Sequence, residues 1–127
     1  MVNYNDYMNS INSIGFEEAT QIYEQMISQM DMNDTDDAEF WNELIENIKD
    51  YVVYRVNWML WDRETRLEKA RARSMCHDSV ITSFDALARI QGKAGKDNSW
   101  REKLGNDRKR IGDFASYIMY IVAINMR

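Results

Sequence analysis

The stretch Tyr51-Val-Val-Tyr-Arg-Val-Asn-Trp-Met-Leu-Trp61 is apolar on nearly every side when it is drawn as a helix. Such a helix is typical of the middle of a bundle, where neighbouring elements cover every face. The stretch lies within a longer segment that predicts a helix from about Asp36 to about Arg73. The expected buried stripe of this helix consists of Phe40, Trp41, Leu44, Ile45, Ile48, Val52, Val56 and Met59.

This central helix is predicted to be long, because no Gly or Pro interrupts residues 36–73. At about 1.5 Å per residue it would reach roughly 55 Å, which exceeds the width of a compact domain of 127 residues. We therefore expect either a break near Asp62–Thr65 or a protruding basic end. Such an end would carry Arg63, Arg66, Lys69, Arg71 and Arg73.

Apolar residues recur at helical spacing on both sides of the central segment. Before it they predict a short helix over residues 4–14, ended by Gly15, and an amphipathic helix over residues 16–30. After it they predict a last helix over about residues 107–125. Between the central helix and the last one, a fourth helix is expected to bury Val80, Ile81, Phe84, Leu87 and Ala88.

Turn and cap residues also favour an all-helical chain. No proline occurs in the sequence, although average usage of about 5% would place roughly six in a chain of this length. Ser99 and Glu102 match a capping box, in which each side chain accepts a hydrogen bond from a free N–H at a helix start. The sequence therefore predicts one domain over residues 1–127, an all-α compact bundle of four to six helices around a long central helix.

The two halves of the chain carry opposite charge within a net charge of −5. Residues 1–62 contain thirteen Asp or Glu and two Lys or Arg, whereas residues 63–127 contain eight and fourteen. Such a division indicates either halves that complement each other, within the fold or in a dimer, or a basic face for an anionic partner.

The single cysteine, Cys76, excludes an internal disulfide and fits a reducing cytoplasm. The first residues show no basic and apolar pattern of a signal peptide. The longest apolar stretch, residues 111–124, contains Asp113 and Ser116 and is too short to span a bilayer. We expect a cytoplasmic protein without a membrane partner.

His77 is the only histidine, and this excludes several classes of metal enzyme. HD-type phosphohydrolases, zincins and carboxylate-bridged di-iron bundles all need more than one histidine ligand. Glu43, Glu46 and Asp50 resemble half of the Mg²⁺ site of all-α nucleotide pyrophosphohydrolases, but the second acidic pair is missing. We favour a solvated acidic face and expect no catalytic residue, metal or cofactor.

Arg55 lies in the most apolar part of the central helix, where an unpaired guanidinium would be very costly. We predict that it pairs with Asp78, Asp85 or Asp113. The groups around it could form a polar pocket for a small ligand, but we favour a network that holds the helices in register. That expected network comprises Arg55, His77, Asp78, Asp85, Arg89 and Asp113.

A basic cluster occupies the loop over residues 92–98 and the helix start after it, and it could contact phosphates, with an aromatic ring stacking on a base. We favour neutralisation of this cluster within the molecule or a dimer, because the first half is acidic. The candidate anion or nucleic-acid contacts are Lys93, Lys96, Trp100, Arg101, Lys103, Arg108, Lys109 and Arg110.

Residues 75–81 and 99–115 resemble segments of a small family of uncharacterised all-helical bacterial proteins, a domain of unknown function. The resemblance implies an all-helical soluble domain and carries no activity, cofactor or site residue.

The predicted function is that of a non-catalytic interaction or regulatory protein in the cytoplasm of a bacterium or its mobile elements. Its expected partner is a protein, either a second copy of the chain in a homodimer or a different protein. Nine methionines suit an adaptable contact surface, and they suit ordinary core filling equally well. One alternative is a nucleic-acid-associated protein that uses the basic second half. The other is a metal-dependent nucleotide hydrolase that uses Glu43, Glu46 and Asp50.

Overall fold

A computed structural model describes residues 13–125, and within them it contains five helices and no strand, which confirms the all-α class. The predicted first helix over residues 4–14 falls almost wholly outside this range. The helices are α1 (Phe16–Ser28), α2 (Thr35–Trp58), α3 (Arg63–Lys93), α4 (Trp100–Leu104) and α5 (Arg108–Asn125). None of them combines the length and the apolar character needed to cross a bilayer.

Helices α2 and α3 form a long antiparallel hairpin, to which α5 and then α1 and α4 are added. The predicted break is confirmed, since α2 ends at Trp58 and α3 begins at Arg63. The Asp62 carboxylate accepts a hydrogen bond of 2.8 Å from the N–H of Thr65 and so caps α3. Arg66 Nε donates to the carbonyl of Trp58 at 2.7 Å and closes the turn.

The other expected alternative, a central helix that continues to Arg73 with a protruding basic end, does not occur. Residues 63–73 instead belong to α3, a single helix of 31 residues that includes the predicted fourth helix. The chain reverses at residues 59–62, so the basic segment packs back along α2 and does not extend away from it.

The core lies between the hairpin and α5, with α1 and α4 covering one side. Its largest fully buried side chains include Trp100, Tyr117, Phe84, Phe114, Met26, Leu44 and Ile48. Removing such side chains from water is the main favourable contribution to folding, at about 1.5–3 kcal/mol for each large apolar residue.

The middle of the central segment does not lie at the centre of the bundle, contrary to the sequence-based expectation. Tyr51 is buried, but Val53, Val56 and Met59 are exposed by 53%, 50% and 79%. The buried residues of α2 are Leu44, Ile48 and Tyr51, so its last turns run past the core with only one face covered.

The predicted capping box is also wrong. Ser99 has helical backbone angles and its side chain makes no capping bond. Asp97 instead accepts a hydrogen bond from the N–H of Ser99 at 2.9 Å. Hydrogen bonds from the backbone and the side chain of Ser99 lower the pKa of the Asp97 carboxyl. Helix α4 nevertheless begins at Trp100, directly after Ser99.

Gly112 brings α5 close to α2. A Cβ at this position would lie 2.7 Å from Tyr51 Oη and 3.1 Å from Arg55 Nη1, both closer than ordinary van der Waals contact. A methyl group here would push apart two helices that the core holds together.

We expect Gly112→Ala to lower the free energy of unfolding by about 1–2 kcal/mol, because crowding outweighs the gain in helix propensity. Urea denaturation measures this. Adding Tyr51→Phe removes the nearest oxygen and should recover part of the loss. A Gly112→Ala protein more stable than the wild type would contradict the close approach, since that is the result for an uncrowded helical position.

Candidate functional site

The predicted pairing of Arg55 is confirmed, and its partner is Asp113. Asp113 is 1% exposed and lies on α5, and its Oδ1 contacts Arg55 Nη2. Arg55 Nη1 also donates to Ser116 Oγ at 3.1 Å. Ser13 donates to Asp113 Oδ2, and Lys109 Nζ lies 3.6 Å from the same oxygen. The buried carboxylate is thus compensated on both oxygens, as a buried charge requires.

His77 lies beside this ion pair and is 3% exposed. Its Nε2 is 2.9 Å from the carbonyl of Arg108, and because a carbonyl only accepts, Nε2 carries the hydrogen. The ring meets that of Tyr51 edge-on, with centroids 5.1 Å apart. Nδ1 is buried and has no hydrogen-bond partner among the described residues.

Burial lowers the pKa of His77, and the positive charges of Arg108 and Arg73 lower it further. The hydrogen bond to the Arg108 carbonyl and the charge of Asp78 act in the opposite direction and are outweighed. His77 is therefore neutral near pH 7, and its Nδ1 is an acceptor without a donor.

A cleft of about 380 Å³ opens over these groups, between the hairpin and the start of α5. It receives side chains from three helices. The lining residues are Tyr51, Arg55, Arg73, Ser74, His77, Arg108 and Lys109. The arrangement is rich in fixed positive charge and in hydrogen-bond donors, a chemistry that suits the binding of an oxyanion and offers no nucleophile–base pair.

Several expected basic contacts are engaged in ion pairs within the molecule. Arg101 Nε bonds Asp85 at 2.6 Å, and Arg110 Nη2 bonds Glu18 at 2.6 Å. Both arginines also donate to backbone carbonyls around the turn between α4 and α5, at Leu104 and Gly105 among others. These two side chains therefore stabilise the turn between α4 and α5.

The remaining ion pairs are looser. Lys96 Nζ lies 3.7 Å from Asp37, and Arg108 Nη1 lies 3.2 Å from Asp78. Lys103 Nζ is 3.3 Å from Gln25 Oε1. Lys93 and Arg89 lie exposed on α3 and do not line the cleft.

Trp100 cannot stack on a base, which corrects one of the predicted contacts. Its ring is completely buried against Phe84, and its Nε1 donates to Gln91 Oε1 at 2.6 Å. The aromatic residue among the basic ones is thus part of the core, so of the expected contact residues only Arg108 and Lys109 face the cleft.

Glu43, Glu46 and Asp50 are exposed on α2. Within residues 13–125, no group of three or more His, Cys, Asp or Glu side chains is placed to hold a metal ion. A larger, open hollow of about 680 Å³ lies along α1, but polar side chains of that one helix, with Lys103, make up most of its walls. It brings together no buried polar group.

Sequence reasoning missed Tyr51, Arg73 and Ser74 as cleft residues. The sequence pattern assigns Arg73 to the basic end of the central helix. A usable signal was present, since Arg73 lies four residues before His77 and therefore on the same face of a continuous helix.

No protein-family model, curated protein or solved structure matches this chain. The resemblance of residues 75–81 and 99–115 to a family of unknown function therefore stays a prediction.

We expect Asp113→Asn to cost about 3–5 kcal/mol of folding free energy, because it leaves Arg55 with an uncompensated charge in a largely buried site. Urea denaturation at neutral pH measures the loss. Asp78→Asn is the matched control: it removes the exposed partner of Arg108 and should cost less than about 1 kcal/mol. Equal effects of the two variants would contradict the special role of Asp113.

Stability should also depend on the protonation of His77. Its pKa in the folded protein is below the ordinary value of 6.5, so below that pH the unfolded chain binds the proton more readily. The His77 contribution is thus complete above pH 6.5 and is lost as the pH falls through that value and towards the folded pKa.

Urea midpoints of the wild type and of His77→Gln, measured from pH 8 to pH 5, test this dependence. The wild type should lose more stability on acidification than the variant, since both share all other titrating groups. Parallel curves would show that His77 is not held neutral.

Proposed function

We propose that this chain is a non-catalytic interaction protein of the bacterial cytoplasm that associates with a second copy of itself through the end of the α2–α3 hairpin. The observation that carries the proposal is the exposure of five apolar side chains near the turn of the hairpin, together termed the tip surface. It comprises Val53, Val56, Met59, Leu60 and Leu67.

The exposure of the tip surface is large for apolar residues. Leu60 and Leu67 are exposed by 78% and 70%. Burying such side chains gains roughly 25 cal/mol for each Å² removed from water. Trp58 and Trp61 lie half-buried beside them, with ring centroids 6.5 Å apart. Aromatic residues and methionine are enriched at protein interfaces.

The charges around the tip surface favour a second copy as the partner. Residues 62–69 carry three carboxylates and three cations, so this segment has no net charge. A two-fold dimer places the same surface against itself, and a surface of one sign would repel its copy. A mixed and balanced segment avoids that repulsion.

The cytoplasmic assignment rests on Cys76, a lone thiol that is half-buried on α3. Burial raises the pKa of this thiol, and the charge of Asp50 raises it further. Cys76 is therefore mainly in the unreactive thiol form, as expected of a structural cysteine in a reducing compartment.

The two alternatives have less support. The nucleic-acid alternative loses its stacking residue, because Trp100 is in the core, and two of its arginines brace a turn. The hydrolase alternative needs clustered carboxylates, whereas Glu43, Glu46 and Asp50 are spread along an exposed helix face.

Sedimentation equilibrium of the full chain over a concentration series tests the proposal. We expect a dimer for the wild type and a monomer for Leu60→Asp combined with Leu67→Asp, because two charges cannot be buried against apolar neighbours. Met75→Asp is the control, since Met75 is 61% exposed on α3 outside the tip surface, and it should remain dimeric.

Circular dichroism establishes that each variant is folded. A wild-type protein that stays monomeric at the highest concentration, or a tip variant that stays dimeric, would refute association through the tip surface.

A further inference from the structure

We propose that the cleft between the hairpin and the start of α5 binds the phosphate group of a small phosphate monoester. The inference is independent of the association at the tip surface. It rests on the charge of the cleft, on two buried polar atoms without partners and on the volume of the cleft.

The charge of the cleft is positive. Arg55, Arg73, Arg108 and Lys109 line it. Among residues 13–125, Asp113 pairs with both Arg55 and Lys109, and the exposed Asp78 pairs with Arg108. The cleft is thus lined by four cationic side chains in a chain whose net charge is −5. Helix α5 begins at the same rim, so its dipole adds to the positive potential there.

Two residues that line the cleft, Arg73 and His77, each contain one buried polar atom without a hydrogen-bond partner among the described residues: Arg73 Nε and His77 Nδ1. They lie one helical turn apart on α3. The Arg73 guanidinium carbon is 4.5 Å from the centre of the Trp58 ring, which holds the side chain in place. An unpaired buried donor and acceptor on one wall are costly to the protein alone.

A phosphate monoester would satisfy both atoms once a small movement of the two side chains opens them to the cleft. An unprotonated phosphate oxygen accepts from Arg73, and because the second pKa of a phosphate monoester is near 6, part of the ligand carries an O–H near neutral pH that can donate to Nδ1. Sulfate has no such hydrogen at this pH, and neither has a phosphodiester. A His77 ring that stays neutral when the ligand binds therefore favours a phosphate monoester over both.

The volume of the cleft indicates what else the ligand carries. At about 380 Å³ it is larger than a phosphate group needs and lies at the lower end of the range for small-molecule pockets. The ligand is thus expected to be a small phosphorylated molecule, with its uncharged part directed to the rim near Ser74.

The experiment is NMR of the full chain with the histidine ring labelled, because His77 is the only histidine and its signal is unambiguous. The probes are inorganic phosphate, a nucleoside monophosphate, sulfate, and a single-stranded oligonucleotide without a terminal phosphate. We expect saturable shifts of the His77 ring with the first two probes and not with the other two.

Two variants that each remove one positive charge from α3 test the site. Arg73→Gln should weaken phosphate binding about tenfold or more, since it removes a charge-assisted hydrogen bond. Arg89→Gln removes the same charge from an exposed position on the same helix and should leave the affinity unchanged. Lys109→Gln is a second cleft variant, should Arg73→Gln perturb the contact with Trp58.

The proposal is overturned if phosphate gives no saturable shift, or if Arg89→Gln weakens binding as much as the cleft variants. Equal binding of sulfate would reduce the cleft to an unselective cluster of cations. Binding of the oligonucleotide in preference to the monophosphate would instead assign the cleft to a nucleic-acid backbone. All probes are compared at one pH, because charged and titratable groups face His77. These groups are Tyr51, Arg55, Arg73, Asp78, Arg108, Lys109 and Asp113.

Discussion

Asp113 is a carboxylate that is almost completely removed from water, and such a group is stable only when its charge is compensated. Within the part of the chain that the structure describes, the compensation comes from three places: Arg55 on α2, Lys109 one turn earlier on α5, and Ser13 ahead of α1. Because each contact needs its own geometry, the carboxylate restricts how α5 sits on the hairpin. Gly112, which leaves room for Tyr51 and Arg55, makes the close approach of α5 sterically possible.

The position of this ion pair along α2 also determines which surfaces remain open. Leu44, Ile48 and Tyr51 lie on the buried side of α2, whereas Val53, Val56 and Met59 follow them towards the end of the helix and are exposed. On the other side of the ion pair, Arg73, His77 and Arg108 stand apart far enough to leave the cleft. The tip surface and the cleft are thus two consequences of where α5 crosses the hairpin.

Local patterns in the sequence were sufficient for the all-helical class and the break after the central helix, and for the Arg55 pairing once its apolar setting was considered. They failed where the outcome depends on which element covers a given face. Val56 and Met59 have the spacing of a buried stripe, yet nothing within the described residues packs on them. Trp100 stands among basic residues in the sequence, but the fold turns its ring into the core. The cleft needs α3 to be continuous, and an expected helix boundary near Arg73 concealed that this residue and His77 share a face.

Arg73 belongs to both open regions. Its guanidinium lies over Trp58, which is next to the tip surface, while its Nε is in the wall of the cleft. A phosphate bound at Nε and a second copy packed near Trp58 would act on the same side chain. Any effect of the phosphate on the affinity of the dimer must then equal the effect of dimerisation on the affinity for phosphate, because linked binding equilibria are reciprocal. If Arg73 has the same position with and without bound phosphate, phosphate binding and dimerisation are independent. The change in the position of this one side chain therefore determines whether the two equilibria are coupled.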